Sequence, residues 1–308
     1  MARLFTQLAQ FSLGRVLNRL AEYAELVKWE HTIFALPFAL STMLLATPQA
    51  WPAWPTVGWI ILCMVGGRTY AMAVNRLLDW QFDAKNPRTQ NRGLPAGRVR
   101  GTEVIALSVV ALGCLVLATL QLPLICQQLL PLAILILTVY SLMKRWHASA
   151  HLILGLALGC SAIGGWLAVT GQWAWLPVLF GLAITAWVAG FDLIYACQDI
   201  TIDRELGLKS IPAAIGLDAT LVWSRVCHGL TVLLLAGFGA WYPVVMGQSV
   251  GWGFWLGLSG MAALLVLEHW WVSRHQLDKI NTAFFTLNGI VSVLFSACIL
   301  AARVLGRA

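Results

Sequence analysis

The chain has 308 residues, of which 59% are hydrophobic and only 11% charged, with a formal net charge of +7. Its mean hydropathy is +0.78, and a water-soluble globule of this composition would present one continuous apolar surface. Soluble enzymes, disordered regulators and nucleic-acid-binding domains are thereby excluded as classes, leaving an all-α polytopic membrane protein.

Residues 1–28 are expected to form an N-terminal amphipathic helix on the inner membrane surface. Leu13, Val16, Leu17, Leu20, Ala24 and Val27 recur at helical spacing, and no apolar stretch is followed by a small-residue cleavage site. Residues 29–308 then form the membrane domain. Uncharged runs occupy 31–67, 104–143, 146–191, 226–267 and 280–302. A crossing needs about 20 residues, so the first four runs are each two crossings long and the last is one. Breaks at 48–55, 121–128, 171–175 and 242–252 carry the Pro, Gly, Gln and Trp of short interfacial turns. The prediction is nine transmembrane helices around a central cavity.

None of the 20 Lys and Arg falls in those four breaks. They gather in the N-terminal segment and in the segments between the runs, including Arg76, Lys85, Arg88, Arg92, Arg98, Arg100, Lys144, Arg145, Arg204, Lys209, Arg274 and Lys279. The positive-inside rule assigns these to the cytoplasm, which points to a multi-pass membrane protein with its charged segments on the cytoplasmic side. Arg303 and Arg307, at the end of an odd number of crossings, run against the rule. The seven cysteines are scattered without a Cys-x-x-Cys pair or metal-type spacing, and read as small buried hydrophobes.

Two acidic segments carry the chemistry. In residues 75–83, Asn75, Asp79 and Asp83 step by four and share one helix face. In residues 192–203, Asp199 and Asp203 repeat that step, and Asp192 lies two turns earlier on the same face. The same offset separates Asp79 from Asp199 and Asp83 from Asp203, as in two related halves facing one another. The segments end the second and the sixth crossing, so both lie at one surface. Carboxylates four apart on a soluble helix are usually a solvated face, but ionisable groups emerging from hydrocarbon are costly and usually functional. Four opposed carboxylates need cations between them, and oxygen donors of this kind suit Mg²⁺ completed by phosphate and water. The expected site has Asp79, Asp83, Asp199 and Asp203 as ligands of two Mg²⁺ ions holding a diphosphate. Arg88, Arg92, Lys144, Arg145, Arg204 and Lys209 stand on the same side as candidate phosphate contacts, with Arg92 and Lys209 best placed; positive-inside bias alone would also put cations there. A cation transporter with paired acids, or a lipid-binding protein, remains an alternative reading of the residues alone.

The segment NRLLDWQFD (75–83) resembles the first acidic motif, Asn-Asp-x-x-Asp-x-x-x-Asp, of the UbiA superfamily of intramembrane prenyltransferases. So do NPRTQNRGLPAG (86–97), Tyr140–Arg145, DLIYACQDITIDRELGLKSIPAAIG (192–216) and the opening LVKWEHTIFALPFAL (26–40). Arg76 stands where the family often has Asp. The resemblance implies nine helices and Mg²⁺-dependent transfer of a polyprenyl chain from its diphosphate to an aromatic ring. The acceptor it favours is 4-hydroxybenzoate, in ubiquinone biosynthesis; a related aromatic acceptor of a menaquinone route is the alternative. It makes Asp79, Asp83, Asp192, Asp199 and Asp203 catalytic candidates, with Asp192 orienting the phenol or taking a proton, or else serving as a structural partner for a nearby cation. Asn75, Arg68, Arg92, Lys144, Arg145 and Lys209 are the substrate-binding candidates. Arg68, on the face of Asn75 and set among apolar residues, is expected either to hold the acceptor's carboxylate or to form a buried pair with an acid on another helix, with Arg225 a weaker candidate for the carboxylate. Phe34, Phe38, Trp166 and Trp187 are placed by helix position as cation-stabilising aromatics. Gly155, Gly159, Gly164 and Gly165 are expected either to pack helices closely or to leave room for the chain.

Overall fold

The computed structural model describes residues 18–29, 32–47, 51–275, 280 and 283–305. It is helical, and the described residues contain no strand. A surface helix α1 (18–27) is followed by α2 (Thr32–Ala46), α3 (Trp54–Asp83), α4 (Gly101–Leu120), α5 (Leu124–Trp146), α6 (Ala150–Thr170) and α7 (Trp175–Ala196). A 3₁₀ turn (Cys197–Asp199) leads into α8 (Ile200–Glu205) and α9 (Ile211–Ile215). The long α10 (Leu217–Met246), α11 (Trp252–His275), a π-helical turn (Ala283–Leu287) and α12 (Asn288–Val304) complete the chain. Eight helices are long and apolar enough to cross a membrane, and α2 is a shorter apolar one. At 1.5 Å per residue its 15 residues span about 22 Å. Among the described residues the count of full-length crossings is thus eight against the nine expected, and α2 is the one that falls short.

The helices run past the boundaries that charge alone suggests. The first uncharged run stops at Gly67, yet α3 continues to Asp83, because the polar residues of its last four turns find partners inside the protein. The fourth break also falls later than expected. Pro243 sits in the last turn of α10 rather than after it, and the turn follows at Gly247, whose φ of +70° closes the helix without a Cβ clash.

Packing does not follow the chain's own hairpins throughout. Helix α3 packs chiefly on α4, α2 on α6, α7 on both α6 and α10, and α12 on α11 and α2. The core is aromatic and lies where α2, α7, α10, α11 and α12 meet. There Phe38 stacks edge-on to Trp187 (ring centroids 5.1 Å apart), Phe180 lies 5.2 Å from Phe238, and Phe254 lies 5.5 Å from Phe295. A buried polar chain is set into it: Trp187 Nε1 donates to Asn288 Oδ1 (3.0 Å), and Asn288 Nδ2 donates to Glu268 Oε1 (2.9 Å).

The described part of the amphipathic stretch is docked against the protein. Leu26 and Val27 pack with Met72, Ala73, Leu94, Val99 and Val104, Arg76 Nε donates to the Leu26 carbonyl (3.1 Å), and Arg98 binds Glu22 (3.1 Å). Leu13, Val16 and Leu17 of the proposed pattern, and Arg3, Arg15, Lys279 and Arg307 of the basic set, lie outside the described residues.

Candidate active site

The last turns of α3 carry Asn75, Asp79 and Asp83 down one face, and the α7–α8 junction carries Asp192, Asp199 and Asp203 down another. All six line one cavity of about 260 Å³. Within α3, Asn75 Nδ2 donates to Asp79 Oδ2 at 2.7 Å, a one-turn step that fixes the carboxylate's rotamer. Arg145, near the end of α5, approaches Asp79 Oδ1 at 3.4 Å, donates to the Leu78 carbonyl, and lies over the Phe82 ring (5.2 Å).

The loop between α3 and α4 folds back into the site. Its turns are closed by Thr89 N–H to Asn86 O (2.9 Å) and Arg92 N–H to Thr89 O (3.0 Å), and Thr89 Oγ1 donates to the Asp83 carbonyl (3.0 Å). Arg92 Nη1 therefore reaches both Asp83 oxygens, at 2.7 and 2.8 Å. Arg88 grips Asp199 with Nε (3.0 Å to Oδ1) and Nη2, and donates from Nη1 to the Tyr195 hydroxyl (2.8 Å). Asn86 Nδ2 adds a further bond to Asp199 Oδ1 (3.1 Å). Burial of Arg88 opposes its charge, but hydrogen bonding to Asp199 and attraction from Tyr195 and Asp199 outweigh it, so its pKa is raised.

Asp203 is 3% exposed, with Lys144 Nζ 3.6 Å from its Oδ2; that oxygen receives no hydrogen bond. Asp192 pairs with the buried His151 (Oδ2 to Nδ1, 2.7 Å). Buried Arg76 lies beside the first acidic group, 3.3 Å from Asn75 Oδ1 and 3.9 Å from Asp83 Oδ2. The lining holds seven basic side chains (Lys28, Arg68, Arg76, Arg88, Arg92, Lys144, Arg145) and five carboxylates. With all of them ionised the cavity is net positive, the field a polyanion requires.

The carboxylates are hard oxygen donors, and the buried Asp203 Oδ2 faces Lys144 Nζ at 3.6 Å without receiving a hydrogen bond. Among the described residues no three His, Cys, Asp or Glu gather closely enough to hold a metal ion by themselves. Hard oxygen donors of this kind suit Mg²⁺, which binds through one or two carboxylates and takes phosphate and water for the rest. Asp79 and Asp83 on one side, and Asp199 and Asp203 on the other, could hold it.

A second cavity, of about 310 Å³, lies between α3, α4, α5 and α6 and is lined almost wholly by apolar side chains, Cys63, Cys126 and Cys160 among them. The two cavities share Arg68, Tyr140, Leu154 and Leu158, so Arg68 stands at the seam between charged and apolar space.

Not every expected residue arrives. Lys209 lies outside both linings: its Nζ donates to the Trp146 carbonyl (2.9 Å) and its backbone N–H to the Lys144 carbonyl (2.6 Å), so it ties α5 to the segment after α8. Arg204 binds the Ala213 carbonyl (2.8 Å), and Arg225 is exposed on α10. Of the four proposed aromatics only Phe34 lines the cavity; Phe82, Tyr140, Phe191, Tyr195 and Phe285 line it too. Phe38, Trp166 and Trp187 are buried in the core. Asn86 could have been found within the NPRTQNRGLPAG segment, whereas His151 carries no sequence signal beyond a lone histidine at a helix start.

With this geometry in place, comparison with known proteins is decisive at the level of family. The model of the UbiA prenyltransferase family matches residues 35–290, and the chain belongs to that family. It is 31% identical over 279 residues to a 4-hydroxybenzoate octaprenyltransferase of Aeromonas salmonicida, a match covering 85% of this chain and 91% of that protein. The fold is similar to that of a UbiA homologue from Aeropyrum pernix K1 solved in the apo state, with TM-score 0.79, 31% identity, and coverage of 88% of this chain and 98% of that one. A UbiA homologue from Archaeoglobus fulgidus, solved with DMAPP and Mg²⁺, shares the fold at TM-score 0.70 and 19% identity, covering 92% of this chain and 99% of that one.

Proposed function

We propose that this chain transfers a polyprenyl group from a polyprenyl diphosphate to the ring of 4-hydroxybenzoate, with Mg²⁺, at the cytoplasmic side of a bacterial inner membrane. The observation that carries this reading is the seam: a net-positive cavity with paired carboxylates joins an apolar cavity, and Arg68 stands at the junction. A diphosphate head suits the first space and an isoprenoid tail the second. Arg68 supplies a fixed cation for an acceptor carboxylate between them. The named activity of the A. salmonicida relative supports the same substrate pair.

Asp79, Asp83, Asp199 and Asp203 are assigned to Mg²⁺, which when bound offsets negative charge developing on the departing diphosphate. Arg88, Arg92, Lys144 and Arg145 hold the phosphate oxygens, exchanging their present carboxylate partners for the incoming anion. Asn75 fixes the rotamer of Asp79. The faces of Phe34, Phe191 and Tyr195 line the same cavity and stabilise positive charge at the allylic carbon. Asp192, with its partner His151, lines the same cavity and is assigned to the acceptor's phenol.

The test is incubation of the purified chain with Mg²⁺, a polyprenyl diphosphate and 4-hydroxybenzoate, followed by product analysis. Prenylated hydroxybenzoate that disappears in Asp79→Ala and Asp199→Ala supports the assignment. Product only with an aromatic acceptor of the menaquinone route, or none with any acceptor, removes it.

A further inference from the structure

His151 is the second residue of α6 and Asp192 lies near the end of α7, so two packed helices bring them together. Both line the carboxylate cavity. The imidazole is 1% exposed, and its Nδ1 stands 2.7 Å from Asp192 Oδ2. An ionised carboxylate can only accept a hydrogen bond, so pairing with an ionised Asp192 places a ring proton on Nδ1 and, in the neutral ring, leaves the lone pair on Nε2. That nitrogen is buried and has no hydrogen-bond partner. The other four carboxylates of the cavity are each held by a guanidinium or ammonium group: Asp79 by Arg145, Asp83 by Arg92, Asp199 by Arg88 and Asp203 by Lys144. Protonating any of these would sacrifice an ion pair. Asp192 alone is paired with an imidazole, whose protonated form its charge would stabilise.

We propose that His151, oriented by Asp192, is the catalytic base that receives the proton displaced from the aromatic ring. The proposal deepens the aromatic-acceptor reading above and rests on it. In the step, the allylic carbon–oxygen bond breaks and its electron pair leaves with the diphosphate. A ring carbon beside the hydroxyl forms the new carbon–carbon bond. The electron pair of that carbon's C–H bond returns to the ring, and the proton passes to His151 Nε2. Asp192 keeps its charge and is a positioning residue.

Two measurements on the full-length protein test this, one of which needs no acceptor. The first is ¹⁵N-histidine NMR of the wild-type chain, with residue 151 assigned by its loss in His151→Asn. The expected result is a neutral ring protonated at Nδ1; a proton on Nε2, or a ring doubly protonated throughout the neutral range, overturns the proposal. The second is kinetics with Mg²⁺, geranyl diphosphate and 4-hydroxybenzoate. His151→Asn keeps a donor toward Asp192 but lacks the second nitrogen. It should lower kcat by about 100-fold or more, with both KM values within about threefold of wild type and a primary isotope effect appearing on the ring-deuterated acceptor. His151→Ala should be rescued by added imidazoles in the order of their basicity. A kcat of His151→Asn within about threefold of wild type, or His151→Ala unmoved by every imidazole while still binding the diphosphate, sinks the proposal. Wild-type inactivity with 4-hydroxybenzoate would instead count against the acceptor, and the NMR arm would then decide the dyad by itself.

Discussion

Arg88 and Asp199, 111 residues apart in sequence, are joined through both Nε and Nη2 of the guanidinium, so the loop after α3 is tied to the junction after α7. A bidentate, partly buried pair of this kind fixes geometry as well as charge. It also holds a proposed metal ligand in readiness while no diphosphate is bound. Arg88→Ala is expected to lower kcat/KM for the polyprenyl diphosphate by on the order of 100-fold, as for loss of one preorganised charge-stabilising donor. It should also raise hydrogen exchange in residues 84–100. Product formation and exchange mass spectrometry check the two effects separately.

Arg68 should act on one substrate only. A charge-assisted hydrogen bond is worth about 1.5–3 kcal/mol, so Arg68→Ala should raise KM for 4-hydroxybenzoate by about 10- to 100-fold and leave the KM for the diphosphate nearly unchanged. A phenol lacking the carboxylate should be indifferent to the substitution. Steady-state kinetics with both acceptors decides it, and equal losses for the two would remove Arg68 from the carboxylate.

The glycines of α6 divide by what a methyl group would meet. A Cβ on Gly155 or Gly159 would run into backbone carbonyls of α7, at Thr185 and Gly181, and one on Gly165 into the Ala39 carbonyl of α2. Gly164 has open space there and lines the apolar cavity. Overpacking costs about 1–3 kcal/mol, so Gly155→Ala and Gly165→Ala should lower the thermal unfolding midpoint and Gly164→Ala should not. Gly164→Phe should keep the midpoint while impairing use of long polyprenyl diphosphates more than that of geranyl diphosphate.

Lys209 gives a negative prediction. Its ammonium group binds a backbone carbonyl outside the cavity, so Lys209→Ala should keep KM for the diphosphate within about threefold and reduce only stability, by roughly the 0.5–1.5 kcal/mol of one hydrogen bond. A large rise in KM would return this residue to the substrate.

Much of this was legible in the sequence, because hydrocarbon restricts what a chain can do. Uncharged runs located the crossings, and the four-residue step placed Asn75, Asp79 and Asp83 on one face of α3. The two acidic segments do line a single cavity. What escaped depends on side-chain direction and on helix partners. Spacing put Lys209 as near the acids as Arg92, but only the turns at Asn86 and Thr89 aim Arg92 inward. Trp187 and Phe38 fell at plausible depths, yet they face the aromatic core because α7 packs on α10 as well as α6. His151 had no periodic partner, and its role depends on the helix that packs beside it. Arg76 departs from the family pattern and yet is seated, by the Leu26 carbonyl and Asn75.

Helix α5 buries only Ser141. Leu132 and Leu135 are more than half exposed, so one helix thickness divides the apolar cavity from the surrounding bilayer. An isoprenoid tail entering there exchanges one oily environment for another, and gains little of the water-release free energy that drives apolar ligands into soluble proteins. Binding strength must then reside in the pyrophosphate end, and added isoprene units should alter affinity only slightly. The length of the tail attached to the product would be governed by the diphosphates dissolved in the host membrane, with the enzyme taking what its solvent supplies.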